Sequence, residues 1–104
     1  MSNEFDAYHK WLGIRPEDQP PNHYRLLGID LFESDPVVVQ SASDQRMAHV
    51  RTYSTGKHLK ASQQILNEIS NAKLCLLSPT DRLEYDQQLR AEQRAALPMA
   101  ARPP

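Results

Sequence analysis

A second cysteine is absent. Cys75 is the only thiol in 104 residues, so no disulfide can close within the chain. That fits a reducing compartment, and Cys75, set in a helical pattern, reads as a small buried hydrophobe rather than a nucleophile. Glycine is scarce, with three in all, and no Gly-rich phosphate loop or nucleophile elbow occurs. No apolar run approaches the ~18 residues that a membrane-crossing helix needs. The opening Met1-Ser2-Asn3-Glu4-Phe5-Asp6 is acidic and has no apolar stretch of the kind a secretory signal carries. An excess of one charge is missing too: 12 Lys and Arg face 13 Asp and Glu, for a net charge of −1. Nucleic-acid binders usually show a basic excess, so that class loses ground. Together these absences predict a cytoplasmic protein with no membrane span, forming one small domain around one modest core.

What is present is helical. Residues 5–14 predict a short helix with Asp6 as N-cap, Phe5, Tyr8 and Leu12 on one face, and Trp11 beside them. Gly13 supplies a left-handed stop and Ile14 turns back. Residues 15–22 hold three prolines in eight positions, which predicts a polar, irregular connection. His23 to Ile29 repeats the device, with Leu27-Gly28-Ile29 echoing Leu12-Gly13-Ile14. Asp35 and Pro36 are the N-cap and first residue of the next helix, running to about 50–53. Its stripe is thin, with Val38 or Val39, then Ala42, Met47 and Val50, interrupted by Gln45 and Arg46. Residues 52–58 read as a loop. A longer helix over 59–77 carries Ile65, Ile69, Ala72 and Leu76 at i, i+4, i+7, i+11, with Leu66, Lys73 and Leu77 flanking.

Ser78, Pro79 and Asp81 then predict a capping box opening a last helix to about residue 96, in which Arg82 and Asp86 pair. No segment shows a strand pattern, so the class is all-α. The organisation expected is an N-terminal extension over 1–21, a helical domain over 22–96 and an Ala/Pro-rich tail over 97–104. That tail reads as a linker, which predicts that the chain is the N-terminal part of a larger protein.

The order of these elements, with Tyr24-x-x-Leu27-Gly28, a Ser-Asp-Pro helix start, a loop, then Leu66, Ile69, Ala72, Leu76 and a closing Arg82-x-x-Tyr85-Asp86, resembles a J domain, the N-terminal module of DnaJ. The resemblance covers about residues 22–89, and the stretch from Leu66 to Asp86 matches without a gap. It implies a small helical domain built on an antiparallel helix pair with short flanking helices. In family members a His-Pro-Asp tripeptide after the second helix, together with basic residues on that helix, contacts a DnaK-type chaperone and stimulates its ATPase. Here His49 is followed by Val50 and Arg51, and no other register restores the tripeptide. Arg in place of Asp reverses a charge at a contact point. Asp44 also dilutes the basic residues Arg46, His49 and Arg51. The resemblance therefore implies the scaffold and not the activity.

Candidates for chemistry are few. None of the four histidines (9, 23, 49 and 58) has another His or Cys at metal-ligand spacing. His49 and His58 could converge with Asp44 only by three coincidences. Glu17-Asp18 and Asp81 with Glu84 read as solvated or capping carboxylates. No catalytic residue, metal or cofactor is expected, and the chain is not expected to be an enzyme. Phe5, Tyr8 and Trp11 first predict packing of the extension onto the core, and second a docking face. Arg46, His49, Arg51, Lys57, His58 and Lys60 make a locally basic strip. It is either ordinary surface charge or a contact for an acidic protein patch or a nucleic-acid backbone.

The partner-binding candidates are His49, Val50, Arg51, Lys57, His58 and Lys60. The leading expectation is a non-catalytic protein-protein interaction module, with a protein partner of unknown identity, on a degenerate J-domain fold. Its rivals are an active co-chaperone with divergent contacts to a DnaK-type ATPase, and a weak nucleic-acid module whose binding would fall steeply with salt.

Overall fold

Short polar side chains and prolines decide where four of the five α-helices begin, and a 3-10 turn over Gly56–His58 leads into the other. The computed structural model describes residues 5–96. Five α-helices make up most of it: α1 (Ala7–Leu12), α2 (His23–Leu27), α3 (Pro36–Arg51), α4 (Leu59–Leu77) and α5 (Pro79–Ala96). No strand occurs among the described residues, so the protein is all-α, and no described helix is long and apolar enough to cross a membrane. The stretch expected to be a tail, 97–104, lies outside the described residues.

Asp6, Asn22 and Asp35 cap the first three helices, accepting the N–H of His9 at 3.2 Å, Arg25 at 2.8 Å and Val37 at 2.9 Å. Of the Ser78–Asp81 capping box only one arm forms. Ser78 Oγ accepts the Asp81 N–H at 3.4 Å, whereas the Ser78 N–H still reaches back to the Cys75 carbonyl at 3.3 Å. That donor is already used by the last turn of α4, so it is not free for a reciprocal bond. The connection over 15–22 is more regular than expected. Pro16–Asp18 forms one 3-10 turn, closed by Asp18 N–H to Arg15 O at 2.9 Å and held by an Arg15–Asp18 ion pair at 3.2 Å.

Both predicted glycine stops are used. Gly13 and Gly28 sit at φ of 69° and 74°, the left-handed region that costs glycine nothing. After α2, Ile29 N–H returns to Tyr24 O and Gly28 N–H to Arg25 O, the six-residue Schellman pattern. After α1 each return spans one residue more, Ile14 to Tyr8 and Gly13 to His9. Ile14 is thereby delivered into the core with no exposed surface.

The pair α3–α4 forms the body. Ser54 and Ser62 meet at 2.8 Å near the connecting turn, and Asp44 meets Lys73 at 3.7 Å farther along, so the helices run antiparallel. The α4 stripe buries Ile65, Ile69, Ala72 and Leu76 as its spacing predicts. Cys75, beside that stripe, is only half-buried, and its thiol lies 3.8 Å from the Asp81 carbonyl. Burial pushes that thiol above its usual pKa, as do the charges of Asp81 and Asp86. The α3 stripe is Val39, Ser43 and Val50, with Val38 exposed. Ser43 is tolerated there because its hydroxyl donates to the Val39 carbonyl at 2.7 Å.

The two ends of the 22–89 stretch close on each other. Tyr24 donates its hydroxyl to buried Asp86 at 2.5 Å, and Arg82 pairs with the other carboxylate oxygen at 3.4 Å. Arg82 also donates to the carbonyls of Ser34 and Phe32 at 3.2 and 3.4 Å, tying down the α2–α3 connection. Tyr85 accepts the first N–H of α2, from His23, at 2.8 Å, and its ring stacks on the His23 imidazole at 4.1 Å. Arg82, Tyr85 and Asp86 are thus spent on a clasp that holds α5 to α2.

Candidate functional site

The candidate residues gather at one end of the α3–α4 pair. His49, Val50 and Arg51 close α3, Lys57 and His58 lie in a 3-10 turn (Gly56–His58), and Lys60 is in the first turn of α4. They do not form one surface.

Val50 is withdrawn from the site. It has no exposed area and belongs to the core stripe, because its position is seven residues beyond Ser43 and eleven beyond Val39.

His49 and His58 face the N-terminal extension. The His49 Nε2 lies 2.9 Å from the Trp11 carbonyl oxygen. A carbonyl can only accept, so Nε2 carries the proton and donates. His58 stacks on Phe5, with centroids 4.3 Å apart, and meets Trp11 edge-on at 5.9 Å. Trp11 in turn lies flat on Tyr53, at 4.5 Å and 14°.

The extension is therefore seated on the turn end of the hairpin, and Trp11 is 6% exposed beneath it. Packing, the first expectation for the aromatic helix, describes Trp11; Phe5 stays 43% exposed. Tyr8 fastens the other side of α1, donating its hydroxyl to Glu68 on α4 at 2.5 Å. Burial, then that carboxylate, pushes the Tyr8 phenol up to about 12. The Gln19 amide donates to both Asp6 oxygens, at 3.2 and 3.0 Å, and to the Ile14 carbonyl at 3.2 Å, folding the extension back on itself. The Gln19 amide and the His9 N–H together hold the Asp6 carboxyl below its usual pKa.

Arg51, Lys57 and Lys60 remain exposed. Among the described residues none of the three pairs with a carboxylate, and Arg51 only approaches the Met47 sulfur at 3.9 Å. They present positive charge beside the covered turn, which attracts an acidic surface and is weakened by salt. The imagined convergence of His49, His58 and Asp44 does not occur. Asp44 is held by Gln40 and Lys73 on another part of α3, and no metal-binding group of side chains exists among the described residues.

Two roles were not visible in the sequence: that of Tyr53, and that of Arg46 beyond its place in the basic strip. Tyr53 is the platform under Trp11, and only its position three residues beyond Val50, just past the end of α3, hints at it. Arg46 takes a place in the α3 stripe, where an arginine obscures the pattern. Comparison of the chain with protein-family models, with curated proteins and with solved structures finds no match.

Proposed function

We propose that this chain is a non-catalytic protein-interaction module on a degenerate J-domain scaffold, and that it recognises an acidic protein surface. The observation that carries the reading is the seating of α1 on the turn end of α3–α4, with Trp11 between Tyr53 and His58. Where a J domain offers His-Pro-Asp, this chain has a turn partly occupied by its own helix and rimmed by Arg51, Lys57 and Lys60. The clasp of Tyr24 with Arg82 and Asp86 supports the scaffold half of the proposal, since it gives the two matching sequence motifs a shared structural task. Trp11 is buried against Tyr53 and offers no platform for bases, and a net charge of −1 gives no basic excess, which favours a protein over a nucleic-acid partner.

The test compares the chain with its Arg51→Glu/Lys57→Glu variant in two assays. In affinity capture from the native lysate, the parent is expected to retain at least one protein that the variant loses at least tenfold. In an ATPase assay with the cognate DnaK-type chaperone, the parent is expected to leave the basal rate unchanged. Equal retention by parent and variant would contradict the acidic-surface reading. Clear stimulation of the ATPase would overturn the non-chaperone reading.

A further inference from the structure

The α3 stripe has a third slot between Ser43 and Val50, and Arg46 fills it. Its neighbours in the stripe are buried, but a guanidinium cannot be buried alone at acceptable cost. The side chain instead lies over the end of α2. A Cβ added to Gly28 would fall 2.2 Å from the Arg46 Nη2 and 2.9 Å from its Cζ. Gly28 is required for its left-handed backbone, and a side chain there would also displace the flexible end of Arg46 from its place over α2.

Half-buried Arg46 has no carboxylate partner among the described residues. The charge that acts on it is of its own sign: Arg25, which is held on the Gly13 carbonyl at 3.3 Å. Burial first, then that repulsion, push the Arg46 guanidinium below its ordinary pKa. Next to it lies a recess of about 220 Å³ lined by Leu27, Gly28, Ala42, Gln45, Arg46 and His49. None of these residues is acidic, and the Nε2 proton of His49 is already committed to Trp11. Two like charges, one of them half-buried and unpaired beside an open recess, make a place where an anion lowers the energy of both.

We infer that this recess is an oxyanion site in which Arg46 takes a carboxylate side chain of an acidic peptide, with Arg25 adding to the field. The planar fork of a guanidinium matches a carboxylate with paired N–H donors, which a lysine cannot reproduce. The inference rests on the acidic-partner reading above and gives that partner an anchor point: one carboxylate enters the recess, while others face Arg51, Lys57 and Lys60.

The test is an amide and guanidinium NMR titration of the full chain with a short oligoglutamate peptide. Oligoglutamine of equal length and inorganic phosphate are the controls. Saturable shifts of the Gly28 amide and the Arg46 Nε–H are expected with oligoglutamate and not with oligoglutamine. Arg46→Lys is expected to weaken binding about tenfold. Arg46→Met is expected to abolish the Gly28 shift, and its amide spectrum reports whether the fold is kept; Arg46→Lys decides the matter if it is not. Shifts confined to Arg51, Lys57 and Lys60 would overturn the recess while leaving the acidic-partner reading intact. No shift anywhere would overturn both. A response at Gly28 and Arg46 to phosphate but not to oligoglutamate would overturn the assignment to a peptide carboxylate.

Discussion

Trp11→Ala is expected to destabilise the protein by about 3–5 kcal/mol, the usual cost of removing a buried tryptophan from a packed site. Set against the ~5–15 kcal/mol that holds typical small domains together, this is a large fraction of the total. The loss has a definite location. Trp11 is the chain's only tryptophan and joins α1 to Tyr53 by stacking and to His58 by an edge contact. Removing it leaves Leu12 as the one buried side chain of a six-residue helix, and so short a helix is not stable in water by itself. Amide exchange should therefore accelerate over Ala7–Leu12 and leave the centre of α4 protected. Denaturant unfolding followed by circular dichroism gives the magnitude, and exchange gives the place. A loss below about 1 kcal/mol would mean that α1 is not seated as described.

Asp86→Ala carries the second large effect, about 3 kcal/mol, because it removes the shared acceptor of two buried or half-buried donors. Tyr24 would lose the partner of its hydroxyl, and Arg82 would keep only the carbonyls of Ser34 and Phe32. Tyr24→Phe removes one donor and leaves the Arg82–Asp86 pair, so about 1 kcal/mol is expected. The same pair sets a pH dependence. Burial first, then Asp86, push the Tyr24 phenol up to about 12, against about 10 in an unfolded chain. The unfolded state thus releases its proton first. The stabilisation is complete below pH ~10 and is lost as pH rises towards 12. Tyr8 adds to the slope in the same direction. Tyr24→Phe should flatten the fall measured by denaturant unfolding across that window, and an unchanged slope would refute the assignment.

How much of this could be read from the sequence depends on how local each cause is. The start of α3 at Asp35-Pro36 and the bounds of α4 follow from caps, proline and an uninterrupted stripe, all of which act within a few residues. The Arg82–Asp86 pair is one helical turn apart and was equally legible. The role of Asp86 towards Tyr24 was not, since the two are 62 positions apart. The register of α3 was hidden by Ser43 and Arg46. A serine that bonds its own helix and an arginine that escapes over a glycine both look polar in a pattern that assumes apolar burial. Val50 stood in the expected α3 stripe and, because it follows His49 where a J domain has proline, among the surface candidates as well; only its place in the stripe is kept. That the aromatic extension packs on the protein followed from its composition, but where it packs did not. Nothing in residues 5–14 specifies Tyr53 and His58 as their platform.

The central claim is that the chain's own first helix occupies the turn end of α3–α4. Nuclear Overhauser contacts from the Trp11 indole in the full chain test it most directly. The account predicts strong cross-peaks from the indole to the Tyr53 ring, with weaker ones to His58. A Trp11 indole with no cross-peak to either ring would contradict it.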